Sequence, residues 1–123
     1  MPLSPFDGRY AAPATASQGR DRTVLFGDVA GSTALYEVLG DERALALVER
    51  CLALMSECTA AVGGRVVKTI GDAVMAVFGS AESAASAAMA MQSAVDALGP
   101  PAGVKLGVRV GFRHGPVVAH EAD

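Results

Sequence analysis

The stretch "RVVKTIGDAVMAVFG", residues 65–79, decides the fold of this chain. It consists of two short runs rich in valine and other apolar residues, and Gly71-Asp72 lies between them. A glycine followed by an aspartate between two such runs is typical of a tight turn. The stretch therefore predicts a β-hairpin with strands at residues 65–70 and 73–79.

A helix and a strand are predicted on each side of the hairpin. Apolar residues recur at helical spacing over residues 41–62 and 81–98, and apolar strand-like runs occupy residues 23–29 and 104–115. The resulting βαββαβ order is the split βαβ unit of ferredoxin-like α/β folds. We expect an antiparallel sheet in the order 4-1-3-2 with both helices on one face.

Composition narrows the functional classes. The chain has 123 residues, 51% of them hydrophobic, and a net charge of −3, so it lacks the basic surface expected of a protein that binds nucleic acid. No apolar run reaches the length of a membrane span. Cys51 and Cys58 lie two helical turns apart, too far to form a disulfide, which favours reduced thiols and a cytoplasmic location.

The chain divides into two segments by composition. Residues 1–22 are rich in proline, alanine and serine without periodicity, and they predict a flexible N-terminal arm. Residues 23–123 carry the predicted elements and form the domain.

Two aspartates are expected to meet at one end of the sheet. Asp28 ends the first strand and Asp72 precedes the third, and these two strands are neighbours in the predicted sheet. Two adjacent carboxylates repel each other unless a cation lies between them, and Mg²⁺ binds such oxygen ligands. Alternatively, Asp28 caps the next helix and Asp72 serves the turn. Spacing alone leaves both interpretations open.

Gly31-Ser32-Thr33 follows Asp28 directly and is expected to open a short helix that ends near Gly40-Asp41. Ser32 or Thr33 can cap that helix. The backbone N–H groups at a helix N-terminus also form a ready site for phosphate. The turn therefore adds a predicted anion site beside the carboxylates.

Three stretches together resemble the signatures of class III adenylate/guanylate cyclase catalytic domains of the bacterial type. They are "TVLFGDVAGSTALYEVLGDERAL", "GGRVVKTIGDAVMAVF" and "VRVGFRHGPVV", and they extend in order from Thr23 to Val118. The resemblance implies an enzyme that converts ATP to cyclic AMP and pyrophosphate in cyclic-nucleotide signalling. It also implies a site for two metal ions, Mg²⁺ or Mn²⁺, and a homodimer or other self-association.

The resemblance assigns roles residue by residue. Asp28 and Asp72 match the catalytic metal aspartates, with the carbonyl of Val29 as a further ligand. Lys68 matches a lysine that reads adenine from the partner subunit, and Arg109 matches an arginine that contacts phosphates. A lysine at position 68 favours ATP over GTP, because an ammonium group donates to adenine N1 but conflicts with the N1–H of guanine.

The resemblance departs from the family near the end of the chain. Arg113 and His114 stand where the family usually has "HT" or "HS", and His114 receives no role. Family domains continue past "GPVV" to an asparagine and an arginine that stabilise the transition state, and no match to them occurs before Asp123. We therefore expect a partial domain that is weak or inactive alone. The alternative is a non-catalytic cyclase-homology module that binds nucleotide or a protein partner.

Overall fold

A computed structural model describes residues 21–116 of the chain. Over that range it contains four strands and three α-helices. They are β1 (Asp21–Ala30), α1 (Ser32–Leu39), α2 (Asp41–Ala61), β2 (Arg65–Ile70), β3 (Ala73–Phe78), α3 (Ala81–Asp96) and β4 (Gly107–Pro116).

The four strands form one sheet in the order β2-β3-β1-β4. Every neighbouring pair is antiparallel. This is the predicted 4-1-3-2 order read from the other edge, so the ferredoxin-like prediction is confirmed. The central hairpin pairs β3 with β2, and the helical connection from β1 to β2 leaves room for β3 between them and for β4 on the other side of β1.

The core lies between the sheet and the helices. Alternate residues of the strands, such as Leu25, Val74 and Phe78, are buried against Met55 of α2 and Met91 of α3. The other face of the sheet, here called the open face, carries no helix from residues 21–116. Phe26 lies on it and keeps 48% of its surface exposed.

Several element boundaries differ by a few residues from the predictions, and the starts of β1 and β4 differ for identifiable reasons. β1 begins at Asp21, two residues before the predicted strand, because β4 continues far enough to pair Pro116 with Asp21. β4 begins at Gly107 rather than at residue 104, because the preceding loop contains a 3₁₀ turn at Pro101–Gly103. The remainder of the predicted N-terminal arm, residues 1–20, lies outside the described residues, as does His120.

Two further observations bear on the sequence predictions. Cys51 and Cys58 are both free, and burial raises the pKa of each thiol, so both favour the protonated form at neutral pH. Within residues 21–116, no helix is long and apolar enough to cross a membrane.

Candidate functional site

Asp28 and Asp72 lie at the same end of the sheet. Asp28 of β1 is directly opposite Ala73 of β3, and Asp72 immediately precedes Ala73. The N–H of Val29 donates to the carbonyl of Asp72 at 3.0 Å, which fixes the β2–β3 turn against the end of β1. Thus the topology brings together two carboxylates that are 44 positions apart in the sequence.

Arg109 joins this end of the sheet from the other side of β1. It is directly opposite Asp28 in the β1–β4 register, and its Nε donates to Asp28 Oδ1 at 3.1 Å. The arginine side chain is 75% exposed and the aspartate side chain 41% exposed. An ion pair so open to solvent contributes at most about 1 kcal/mol, so Arg109 can exchange Asp28 for another anion at little cost.

Asp72 is held differently. The hydroxyl of Ser32 donates to Asp72 Oδ2 at 2.7 Å, and Ser32 is only 9% exposed. The sequence predicts Ser32 as a helix cap, but the structure directs its side chain across to the β2–β3 turn. Helix α1 begins after Gly31 with no side-chain cap.

Gly31 is required at its position for two reasons. Its φ is +94°, in the left-handed region that favours glycine, and a Cβ there would lie 2.4 Å from the carbonyl oxygen of Lys105. Any side chain would therefore push the turn away from the loop before β4. Gly31 thus determines the backbone position of Ser32, from which the serine hydroxyl contacts Asp72.

The start of α1 remains a candidate anion site. Because no side chain caps this helix, none of its first N–H groups is used by a capping oxygen. Thr33, in the first turn, is exposed. The predicted phosphate-binding turn therefore lies beside both carboxylates. The backbone N–H of Ser32 belongs to this turn, and its buried hydroxyl contacts Asp72.

A shallow groove of about 340 Å³ runs along the open face beside Asp28. Its walls are formed by strand residues from β1, β3 and β4, namely Phe26, Gly27, Asp28, Ala73, Arg109, Val110 and Gly111. The groove is lined by a carboxylate, a guanidinium group and an apolar ring. It can therefore accept a ligand that has both charged and apolar parts.

Lys68 is separated from Asp28 by two strands. It is exposed on β2, opposite Met75, and Met75 is in turn opposite Phe26 of β1. Lys68 therefore faces the same open face as Asp28 but from two strands away. It lies two residues before the end of β2, the strand that leads into the turn that carries Asp72.

The sequence does not predict two of the side-chain hydrogen bonds, one beside the site and one toward the other end of β1. Gln92 of α3 accepts the N–H of Val108 at 2.8 Å, which holds the start of β4 next to Arg109. His114, to which the sequence assigned no role, hydrogen-bonds Thr23 at 2.7 Å, and Thr23 is 1% exposed. A glutamine on a helix gives no sequence signal for such a contact, since its partner depends on how the helix packs.

The donor set suits a hard divalent cation. Within residues 21–116 there is no cluster of three or more histidine, cysteine, aspartate or glutamate side chains that could enclose a metal. Mg²⁺ does not need one, because it is usually held by one or two carboxylates and keeps water and substrate phosphate as its other ligands. Asp28 and Asp72 supply that number, so the residues present fit the metal that the resemblance implies.

Comparison with known proteins places the chain in a family. Residues 15–122 match the model of the adenylate and guanylate cyclase catalytic domain. The chain belongs to this family. No curated protein gives a significant match.

Solved structures agree with that assignment. The adenylyl cyclase CyaB from P. aeruginosa is 29% identical with a TM-score of 0.67, over 78% of this chain and 56% of that chain. A bacterial light-regulated adenylyl cyclase is 26% identical with a TM-score of 0.69, over 80% and 31%. The monomeric guanylyl cyclase domain of RhoGC from the fungus Blastocladiella emersonii shares the fold, with 23% identity and a TM-score of 0.71, over 83% and 64%.

The matches also define how much of each protein is shared. The chain spans 56% of the CyaB chain and 31% of the light-regulated cyclase chain. The fold and family are therefore established for the shared part.

Proposed function

We propose that this chain is part of an adenylate cyclase catalytic domain that binds ATP with Mg²⁺ or Mn²⁺ at the Asp28 and Asp72 end of the sheet. One observation carries the proposal. In a member of the cyclase family, two carboxylates, an exchangeable arginine and an uncapped helix N-terminus lie together at one sheet end.

Three groups would hold the metal ions: the carboxylates of Asp28 and Asp72 and the carbonyl of Val29. Bound metal would neutralise phosphate charge and favour ionisation of the attacking ribose hydroxyl. The hydrogen bond from Ser32 to Asp72 leaves the other carboxylate oxygen of Asp72 available as a ligand. Asp28 becomes available when Arg109 releases it.

The phosphates would be bound by this chain's cationic and backbone donors. Arg109 is exposed and lines the groove beside Asp28, so its guanidinium can move from that carboxylate to a phosphate. The backbone N–H groups of Ser32 and Thr33 lie at the positive end of α1 and favour the same anion.

Adenine recognition would need a second copy of the chain. Lys68 lies two strands from Asp28, and the family resemblance has the matching lysine read the base from the partner subunit. We therefore propose a dimer in which Lys68 reads the base and favours ATP over GTP. Mass measurement by light scattering tests this, and a monomer at every concentration in the presence of Mn²⁺ and ATP would contradict it.

Catalysis is the weaker part of the proposed function. Cyclisation needs the ribose 3′-oxygen aligned with the α-phosphate, and donors aimed at the charge that develops there. Arg109 is the donor at this end that the resemblance identifies. We therefore expect binding of Mn²⁺ and ATP with little or no cyclic AMP formed. A cytoplasmic location, suggested by the two free thiols, belongs to the same proposal.

The test combines titration calorimetry with a cyclic AMP assay. We expect Mn²⁺-dependent ATP binding that weakens about tenfold or more in Asp28→Ala and Asp72→Ala. Glu49→Ala, which removes an exposed carboxylate of α2, is the matched control and should bind as the unaltered chain does. Equal loss in all three variants, or ATP binding that does not need Mn²⁺, would contradict the proposal.

Two outcomes of the same assay separate the alternatives. Binding without cyclic AMP agrees with the weak or inactive chain expected here and with a non-catalytic cyclase-homology module. Rapid cyclic AMP formation that disappears in Asp72→Ala would show that the chain itself completes the active site. A stronger response to GTP than to ATP would refute the assigned role of Lys68.

A further inference from the structure

We infer that Ser32 is a positioning residue for the second metal aspartate: its buried hydroxyl orients the Asp72 carboxylate and thereby raises the affinity of the site for Mg²⁺ or Mn²⁺. The inference rests on the proposed function, because it concerns the same metal site. It assigns to the Ser32 side chain a role separate from phosphate binding by the backbone of the turn.

The first argument is the geometry of the contact. Ser32 Oγ lies 2.7 Å from Asp72 Oδ2, a short distance for a hydroxyl donating to a carboxylate. Ser32 is 9% exposed and Asp72 is half-buried, so water competes poorly for the serine hydroxyl. A hydrogen bond of this kind restricts rotation of the carboxylate about its last side-chain bond.

The second argument is that both ends of the contact are fixed. The backbone of Asp72 is held by the N–H of Val29 at 3.0 Å. Ser32 is held by the preceding Gly31, whose close approach to the Lys105 carbonyl leaves no room for the turn to shift. The backbone positions that carry the hydroxyl and the carboxylate are therefore both held. Under that condition a hydrogen bond between the two side chains can orient the carboxylate as a metal ligand.

The third argument excludes the simplest structural role. A serine at the start of a helix usually caps it by accepting a backbone N–H. Ser80 does this for α3, accepting from the N–H of Ser83 at 3.1 Å. The hydroxyl of Ser32 instead donates to a side chain 40 positions away, so its contact serves the β2–β3 turn and the Asp72 carboxylate.

The experiment measures Mn²⁺ affinity by titration calorimetry in the absence of nucleotide. Ser32→Ala should weaken Mn²⁺ binding about tenfold, the lower range for loss of a group that orients a metal ligand. Ser32→Thr keeps the hydroxyl and should stay within about threefold of the unaltered chain. Ser32→Cys keeps the size but donates weakly, and it should lose affinity as the alanine variant does.

Ser80→Ala is the matched control. It removes a serine hydroxyl at another helix N-terminus and should lower stability by loss of a cap while leaving Mn²⁺ affinity unchanged. Combining Ser32→Ala with Asp72→Ala should weaken binding no further than Asp72→Ala alone, since the hydroxyl acts through that carboxylate.

The outcomes distinguish this inference from the function on which it rests. If the unaltered chain binds no Mn²⁺, or if Asp72→Ala binds it normally, both fail. If binding depends on Asp72 but Ser32→Ala and Ser32→Cys bind as tightly as the unaltered chain, the proposed metal site stands and the positioning role of Ser32 is wrong.

Discussion

Asp28 and Asp72 lie at the same end of one sheet, but their surroundings differ. Asp28 meets an arginine that is 75% exposed, on a face of the sheet that no helix within residues 21–116 covers. Asp72 meets a serine that is 9% exposed, and its backbone is hydrogen-bonded to Val29. The first contact is between two exposed charges, and the second is a part-buried contact between a charge and a neutral donor.

The difference shows how one end of a sheet can combine a fixed ligand with an exchangeable one. A carboxylate oriented by a buried hydroxyl keeps its direction whether or not a cation is present. A carboxylate paired with an exposed guanidinium retains a counter-charge that can leave when a metal or phosphate arrives. In the proposed metal site, Asp72 would thus be the preorganised ligand, and Asp28 would be the ligand that changes partners.

The largest expected effect comes from disturbing the turn beneath Ser32. Gly31→Ala should lower the free energy of unfolding by about 3 kcal/mol, because it combines left-handed backbone strain with a contact between Cβ and the Lys105 carbonyl. Gly63→Ala is the control, since its φ is also positive, +80°, but nothing lies within 4 Å of the added methyl. It should cost about 1 kcal/mol. Equal losses in urea unfolding would show that the close approach at Gly31 has no energetic consequence.

A smaller effect is expected in the free energy of unfolding, which should fall by different amounts when each aspartate is replaced. Asp72→Ala leaves the buried Ser32 hydroxyl without its acceptor and should cost about 2 kcal/mol of unfolding free energy. Asp28→Ala leaves only an exposed guanidinium unpaired and should cost less than about 1 kcal/mol. Urea unfolding of both variants without metal measures the contrast. The expected contrast would be contradicted if Asp28→Ala lowered the free energy of unfolding more than Asp72→Ala does.

Removing Arg109, the partner of Asp28, should change the affinity for metal and the affinity for nucleotide in opposite directions. Arg109→Ala removes the competing cation, so Mn²⁺ alone should bind about threefold more tightly, within the energy of an exposed ion pair. ATP in the presence of Mn²⁺ should bind less tightly, because a phosphate contact is lost. Arg113→Ala, on the same strand but opposite Val24, is the control and should change neither affinity. Parallel changes in both affinities would mean that Arg109 does not exchange between these partners.

The smallest expected effect is a response to salt. Ionic strength screens exposed pairs more than buried ones. Raising the salt concentration from about 0.05 to 0.5 M should therefore remove most of the stability difference between Asp28→Ala and the unaltered chain. The deficit of Asp72→Ala should persist in the same unfolding series. Similar screening of both deficits would show that the Ser32 contact is as open to solvent as the Arg109 pair.

Much of this architecture follows from the sequence because it depends on local patterns. The hairpin at Gly71-Asp72 pairs β3 with β2, and the split βαβ order places β3 between β2 and β1, which together bring Asp72 to the end of the strand that carries Asp28. The same topology predicts that the start of β4 carries Arg109 to that end, where it is now seen to contact Asp28.

The side-chain contacts could not be predicted in the same way. Ser32 stands where statistics favour a helix cap, and its true partner depends on how closely the β2–β3 turn packs. The sequence predicts too early a start for β4, because Val104 to Leu106 look like part of a strand. The preceding 3₁₀ turn delays strand pairing until Gly107. Long-range packing, which no local pattern encodes, decided both.

The register of β2 has a further consequence. Lys68 pairs with Met75, whereas Val66, two residues earlier, pairs with Ala76, so Val67 is an extra residue in the ladder. With the extra residue present, Val66 packs against the core while Lys68 faces outward, although uninterrupted alternation would give two residues so spaced the same side. Without Val67 the lysine would follow Val66 directly, and regular alternation would still place the two side chains on opposite faces of the sheet. The bulge therefore adds length and local twist to β2 without deciding the face on which Lys68 lies.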